Sequence, residues 1–298
     1  MIAAGSLWAV FTVIAAVGQT ARNAMQRELT RVVGTVGATL VRFLFGLPFG
    51  ILFLAGVAYW LGKPLPVPTS TFLAWDTLGA VSQVGGTALM LLAMNERSFV
   101  VTTAYLKTEP VLVALFGFVF LGDRITAYTA VAILIATVGV TMMSWTKNAE
   151  TTSARPAIFG IGAAAVFGIS AVGYRGAILS LDTQSFVTAA TFTLVVALSI
   201  QTALLSSYLA LFDRNQLLAI FRHWRPSLFA GFMGAAGSQF WFLALALTTA
   251  ANVRTLALIE VLFAQIVSRR LFNQKSAPRE IIGIVLVVAG IAFLLWTH

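Results

Sequence analysis

Long apolar stretches recur from one end of the chain to the other, at roughly 2–20, 33–61, 70–94, 98–121, 126–145, 157–178, 184–211, 226–248, 250–271 and 279–297. Short breaks rich in Arg, Lys, Pro, Asn or Asp separate them. A helix needs about 20 mainly apolar residues to cross a bilayer. Backbone groups in lipid must be satisfied within their own segment, which rules out isolated strands. The pattern therefore predicts an all-α integral membrane protein of ten transmembrane helices. The second and seventh stretches are the longest, which predicts tilt or a kink near Pro48.

The chain also resembles itself. A shift of 151 residues lays Gly86 on Gly237, Glu109 on Glu260 and Gly139 on Gly290, so segments three to five match segments eight to ten. Near the first helix the shift becomes 155, with Ala16-Val17-Gly18 on Ala171-Val172-Gly173. This predicts two five-helix repeats, residues 1–150 and 151–298. Five is odd, so the second copy enters the membrane upside down relative to the first. That is the inverted-repeat plan of secondary transporters, with the substrate site at the repeat interface, here a central cavity.

Composition agrees with a membrane setting, since 59% of residues are hydrophobic and 10% charged. The net charge of +9 does not point to nucleic acid, because the 19 Lys and Arg residues sit mostly in the breaks and form no single basic surface. Ala3 to Gln19 follows no basic stretch and precedes no small-residue cleavage site, so it reads as a retained first helix. The absence of cysteine removes disulfide and thiol chemistry. His223 and His298 lie far from any carboxylate cluster with ligand spacing, which argues against a metal site. There is no glycine-rich phosphate loop. The expectation is a protein that is not an enzyme and uses no cofactor.

The stretch Tyr105-Leu106-Lys107-Thr108-Glu109-Pro110, followed by Leu121-Gly122-Asp123-Arg124-Ile125-Thr126 and a helix bearing Gly139, resembles the recurring repeat of the EamA-type, ten-helix drug/metabolite transporters. The resemblance covers the whole chain. The second copy has Asn273-Gln274-Lys275 where the family usually has a glycine and an acid, so no role is carried over to that turn. The resemblance implies a secondary exporter of small amphipathic metabolites, closest to the aromatic amino acid branch, working by alternating access in a bacterial-type inner membrane. The expected partners are a small-molecule substrate and the bilayer, with protons as coupling ion if one of the membrane carboxylates exchanges them, and the protein is expected to act as a monomer.

Several side chains are candidates for the transport path. Gly79, Ser82, Gln83, Gly86 and Met90 share one face of the third helix, as do Gly234, Gly237, Ser238 and Trp241 on the eighth and Trp8, Thr12, Ala15 and Gln19 on the first. Small and polar faces suit either close helix packing or a cavity wall; the bulky Met90 and Trp241 at matching ends favour the wall. Trp241 and Tyr105 would supply rings for an aromatic solute, and Gln83, Gln239 and Lys107 its polar contacts. Gln239 lies about 160° around the helix from Trp241, so the two face different neighbours.

Charges inside the membrane cost at least about 2.5–3.5 kcal/mol each and are seldom accidental. Here they are Lys107, Glu109, Arg42, Arg254 and Glu260. Lys107 and Glu109 are two residues apart on a helix and cannot neutralise each other, so each needs another partner. The glutamates serve either as symmetry-related anchors or as proton-exchanging groups. An exporter of organic cations is the alternative within transporters, although residues 2–20 hold no acid; a membrane-embedded enzyme would need clustered His, Asp or Glu, and none is seen.

Charge placement also predicts orientation. Thirteen basic residues (Arg22, Arg27, Arg31, Arg97, Lys147, Arg155, Arg214, Arg222, Arg225, Arg269, Arg270, Lys275, Arg279) fall in the breaks on one side, against Lys63, Arg124, Arg175 and Arg254 on the other. The positive-inside rule makes the first group cytoplasmic and sends both termini outward. Cysteines placed singly at Arg27 and Lys63 are expected to label from opposite sides with an impermeant maleimide; labelling of Lys63→Cys only from the cytoplasm reverses the assignment.

Overall fold

A computed structural model describes residues 6–62, 64–96, 105–144, 155–263 and 278–297. Every regular element among them is helical. In chain order they are α1 Leu7–Leu44, α2 Leu47–Leu61, α3 Ser70–Glu96, α4 Glu109–Phe116, α5 Ala127–Ser144, α6 Arg155–Leu179, α7 Phe186–Phe212, α8 Arg214–Arg222, α9 Trp224–Leu247, α10 Ala250–Leu256 and α11 Pro278–Thr297. Gly117–Leu121 continues α4 as a π-helical turn. Among the described residues, five stretches are long and apolar enough to cross a bilayer: Val33–Leu61, Ala157–Leu179, Phe186–Phe212, Trp224–Leu247 and Arg279–Thr297. Leu7–Gln19, Glu109–Leu121 and Ala127–Met143 are shorter apolar helices. Lys63, Arg97, Lys147, Arg269, Arg270 and the Asn273-Gln274-Lys275 turn lie outside the described residues.

The expected break between the first two apolar segments is not a loop. α1 runs through it, because Thr20 to Arg31 is polar yet made largely of good helix formers such as Ala, Arg, Met, Gln, Glu and Leu. The helix departs from regular geometry at Gly34, whose φ of 68° and ψ of 176° suit glycine alone. Such a kink frees backbone donors. One of them, the Gly37 N–H, donates to Gln216 Oε1 at 2.8 Å. Gln216 belongs to α8, a short amphipathic helix capped by the Asp213 carboxylate, with Ile220 buried and Leu218 and Phe221 exposed. The second apolar segment is instead interrupted at Phe45-Gly46, and α2 starts afresh with Pro48 in its first turn, where its missing N–H does no harm.

The chain divides into two units that interleave the sequence halves. The first holds residues 82–172 and 248–298 together with 1–5, the second residues 6–81 and 173–247. α3 and α6 each contribute one part to either unit.

In the first unit α5 and α11 pack backbone to backbone. A β-carbon on Gly139 would lie 2.7 Å from the Gly283 carbonyl oxygen and 2.8 Å from the Val287 nitrogen. On Gly290 it would lie 2.7 Å from the Ala136 nitrogen and 2.9 Å from the Ala132 oxygen. The pairing is reciprocal: the 151-residue shift exchanges 139 with 290 and 132 with 283. In the second unit α1 meets α9 in the same manner, with Gly18 against the Gly237 backbone, and Phe11/Phe240 and Phe49/Phe232 rings fill the flanks of α9. Tyr59 and Trp60 at the end of α2 and Trp296 at the end of α11 are over 80% exposed, as in the aromatic belts of membrane proteins.

Gly139→Leu is expected to destabilise the protein by about 3 kcal/mol, because overpacking against backbone cannot relax. Gly56→Leu, at a glycine with nothing within 4 Å of its would-be β-carbon, is expected to leave the melting temperature in detergent unchanged. Equal melting temperatures for the two variants would contradict the packing.

Candidate functional site: two broken helices and their crossed charges

The segments carrying the intramembrane charges break at matching places. In the first copy, Tyr105 and Leu106 are helical, Lys107 and Thr108 form a turn, and α4 begins at Glu109. Thr108 N–H donates to Tyr105 O at 3.1 Å and Val111 N–H to Thr108 O at 3.2 Å, three-residue spacings that tighten the helix locally. Pro110 explains this, since it donates no N–H and disfavours helical geometry at the residue before it.

The second copy breaks without proline. α10 stops at Leu256, Ala257 and Leu258 turn, and helix resumes at Ile259. Leu258 N–H bonds Thr255 O at 3.1 Å, and Glu260 N–H bonds Ala257 O at 3.0 Å. Thr255 Oγ1 donates to the Ala251 carbonyl at 2.7 Å, a side-chain bond of the kind that bends helices.

Across these breaks the charges pair between the copies, all within the first unit. Lys107 Nζ meets the Glu260 carboxylate. Arg254 Nε lies 3.1 Å from Glu109 Oε1. This second contact is an ion pair rather than an aligned hydrogen bond. All four side chains are between 14% and 20% exposed. The acids match by repeat, but the cations do not: position 103 opposite Arg254 is Thr, and position 258 opposite Lys107 is Leu. Each copy thus offers its glutamate to a cation from the other, and the four charges sum to zero.

The remaining candidates fall in separate places. In the first unit, Tyr105 packs against Gly160. Gly86 receives the Phe167 ring, and Ser82, Gln83 and Met90 are half-buried on α3. In the second unit, Trp8 is 2% exposed and Ser238 6%, and Arg42 is half-buried near the end of α1. Trp241 is 7% exposed, and its Nε1 donates to Gln19 Oε1 at 3.2 Å, which ties α9 to α1. Gln239, facing elsewhere as its helical angle requires, donates to Thr191 Oγ1 at 2.7 Å.

One ionisable group was not singled out by the sequence. Asp76 on α3 is fully buried, and neither carboxyl oxygen has a hydrogen-bond partner. A lone acid inside a long apolar segment was the signal available.

The model of the EamA-like transporter family matches residues 4–145 and again 154–296. The chain belongs to the EamA-like transporter family. The model thus matches once in each half of the chain, and membership makes this a multi-pass membrane transporter of the drug/metabolite type. No curated protein matches the chain. Among solved structures, one titled only as a crystal structure of a protein superposes with a TM-score of 0.70. It covers 97% of this transporter and 99% of its own chain at 13% identity, a likeness of fold alone.

The crossed pairs predict a specific rescue. Lys107→Glu places a third carboxylate among the charges and should cost about 3 kcal/mol, the scale for disrupting a mostly buried ion pair. Adding Glu260→Lys restores a pair of opposite polarity and should recover most of the loss of thermal stability in detergent. Additive losses in the double variant would show that the two side chains are not coupled.

Proposed function

We propose that this transporter is a secondary exporter of small amphipathic metabolites, aromatic and neutral amino acids first among them, working by alternating access between two inverted five-helix halves. Family membership supports transport. The inverted arrangement is supported by the reciprocal Gly139/Gly290 contact, since a twofold relation exchanging antiparallel helices has its axis across them. The observation that carries the substrate class is the pair of broken helices with two carboxylates and two cations balanced between them. Discontinuous helices build the substrate sites of many secondary transporters.

A zwitterion suits such a site. Its carboxylate competes for Lys107 or Arg254, its ammonium for Glu109 or Glu260, and no net charge is left behind. A permanent cation would need an excess of acid there. Tyr105, whose side chain packs against Gly160 on the same unit, is the ring offered to an aromatic solute, worth about 0.5–1.5 kcal/mol beyond burial. Trp241 is held by Gln19 and belongs with helix pairing in the second unit.

Proteoliposomes loaded with a panel of labelled amino acids and organic cations test the reading, with efflux recorded with and without a proton gradient. Phenylalanine and tryptophan are expected to leave fastest; efflux confined to organic cations would overturn it. Tyr105→Ala should slow phenylalanine export several-fold more than threonine export, whereas Trp241→Ala should slow both alike. Glu109→Gln should harm transport more than Glu260→Gln, because it strands an arginine, which cannot shed its proton, while the latter strands a lysine, which can.

A further inference from the structure

Asp76 occupies an apolar pocket of the second unit. One turn before it, the Phe72 ring packs on Phe192 with centroids 5.6 Å apart. Its neighbour Trp75 lies against Gly176. Close to one turn after it, Gly79 meets the Gly173 backbone so tightly that a β-carbon on Gly173 would lie 2.8 Å from the Gly79 nitrogen. The Ala80 carbonyl, four residues on, accepts from Gln201 Nε2 at 3.4 Å. Several polar groups of the elements packed here bond to other atoms, and none bonds an Asp76 oxygen. On α6, the Tyr174 hydroxyl accepts from Gln201 Nε2 at 2.9 Å, and Arg175 Nη1 donates to the Leu245 carbonyl at 2.7 Å. α7 carries no charged residue, and its one tyrosine, Tyr208, lies seven positions beyond Gln201 and is 48% exposed.

A bare carboxylate buried without a donor costs far more than a neutral polar group in the same place. Inside the packed unit no donor reaches its oxygens to relieve it. We propose that Asp76 is a proton-binding site: it carries a proton in this conformation and releases it to water when the α3–α6–α7 contact around it loosens. The step is the dissociation of a carboxylic acid into a carboxylate and a proton taken up by water, with no redox partner. The opening falls at the backbone contact of α3 with α6, Gly79 against Gly173. Coupling of this proton to solute movement rests on the transport reading above; occupancy of the site does not.

Two measurements test the proposal and separate it from that reading. Infrared difference spectra of the purified protein at neutral pH should contain the carbonyl stretch of a protonated carboxylic acid, and Asp76→Asn should remove it. A spectrum in which that band is absent or is unaltered by the substitution overturns the proposal, whether or not any solute is transported. In proteoliposomes, with whichever panel solute the wild type carries, Asp76→Asn mimics the protonated form. It should retain solute exchange at equal pH while losing at least ten-fold of the acceleration produced by a proton gradient. Asp76→Glu should keep part of that acceleration. An undiminished response to the gradient in Asp76→Asn overturns the coupling role. Failure of Asp76→Asn to fold where Asp76→Glu folds would mean that the negative charge is required, and also overturns the proposal.

Discussion

Inside a bilayer a polar group has only the protein to turn to, and nearly every tertiary feature of this transporter answers that constraint. Where α1 kinks at Gly34 and uncovers a donor, Gln216 reaches over from another helix to take it. Trp241 is tied to Gln19, Gln239 to Thr191 and Gln201 to the Tyr174 hydroxyl, each an interhelical bond between side chains that lipid would leave unsatisfied. The four charges near the helix breaks obey the same rule at higher stakes. Removal of one partner there leaves an ion that must rearrange, change protonation or pull in water.

Polar satisfaction requires that helices approach closely, and glycine makes the approach possible. Between lipid and protein there is little hydrophobic gain from association, so contact area and close hydrogen bonding carry the packing. The backbone contacts at Gly139, Gly290, Gly173 and Gly237 are where α5 meets α11, α6 meets α3 and α1 meets α9. Gly18 and Gly173 occupy matching places in the two copies, and both sit at a glycine-to-glycine approach. Only that first member of each contact is shared, however: Gly86, which the repeat lays on Gly237, meets the Phe167 ring, and Gly173 meets Gly79 instead.

What could be read from the sequence followed from local chemistry. The helix break beside Glu109 interrupts a segment that the apolar pattern makes continuous, although Pro110 is a local mark for it; its counterpart at Ala257-Leu258 has no such mark, because there a threonine bonds to its own helix. That Lys107 and Glu109 each need a separate partner follows from helical angle alone. The partners, Glu260 and Arg254, depend on how two distant segments cross. The stretch from Thr20 to Arg31 looked like a loop because polarity reports where apolar surroundings end, whereas helix propensity reports where the backbone stays wound. α8 was hidden for a related reason, since a nine-residue helix is too short to stand out from the polar break that contains it. Asp76 passed unnoticed because it is one acid in a long apolar run, and its significance lies in the absence of donors around it.

The two kinds of buried charge then divide the chemistry of transport. The crossed pairs are electrically closed, with each carboxylate balanced by a cation, so they respond to a solute that brings both signs. Asp76 is open, with no cation and no donor at its oxygens, so it responds to a single positive charge small enough to enter an apolar pocket. A proton meets that requirement at no steric cost, whereas an organic cation would need space beside a side chain that has no exposed surface. A carrier built this way can hold a zwitterion without net charge in one place and exchange a proton in another. Its solute chemistry and its energy source need not compete for the same carboxylate.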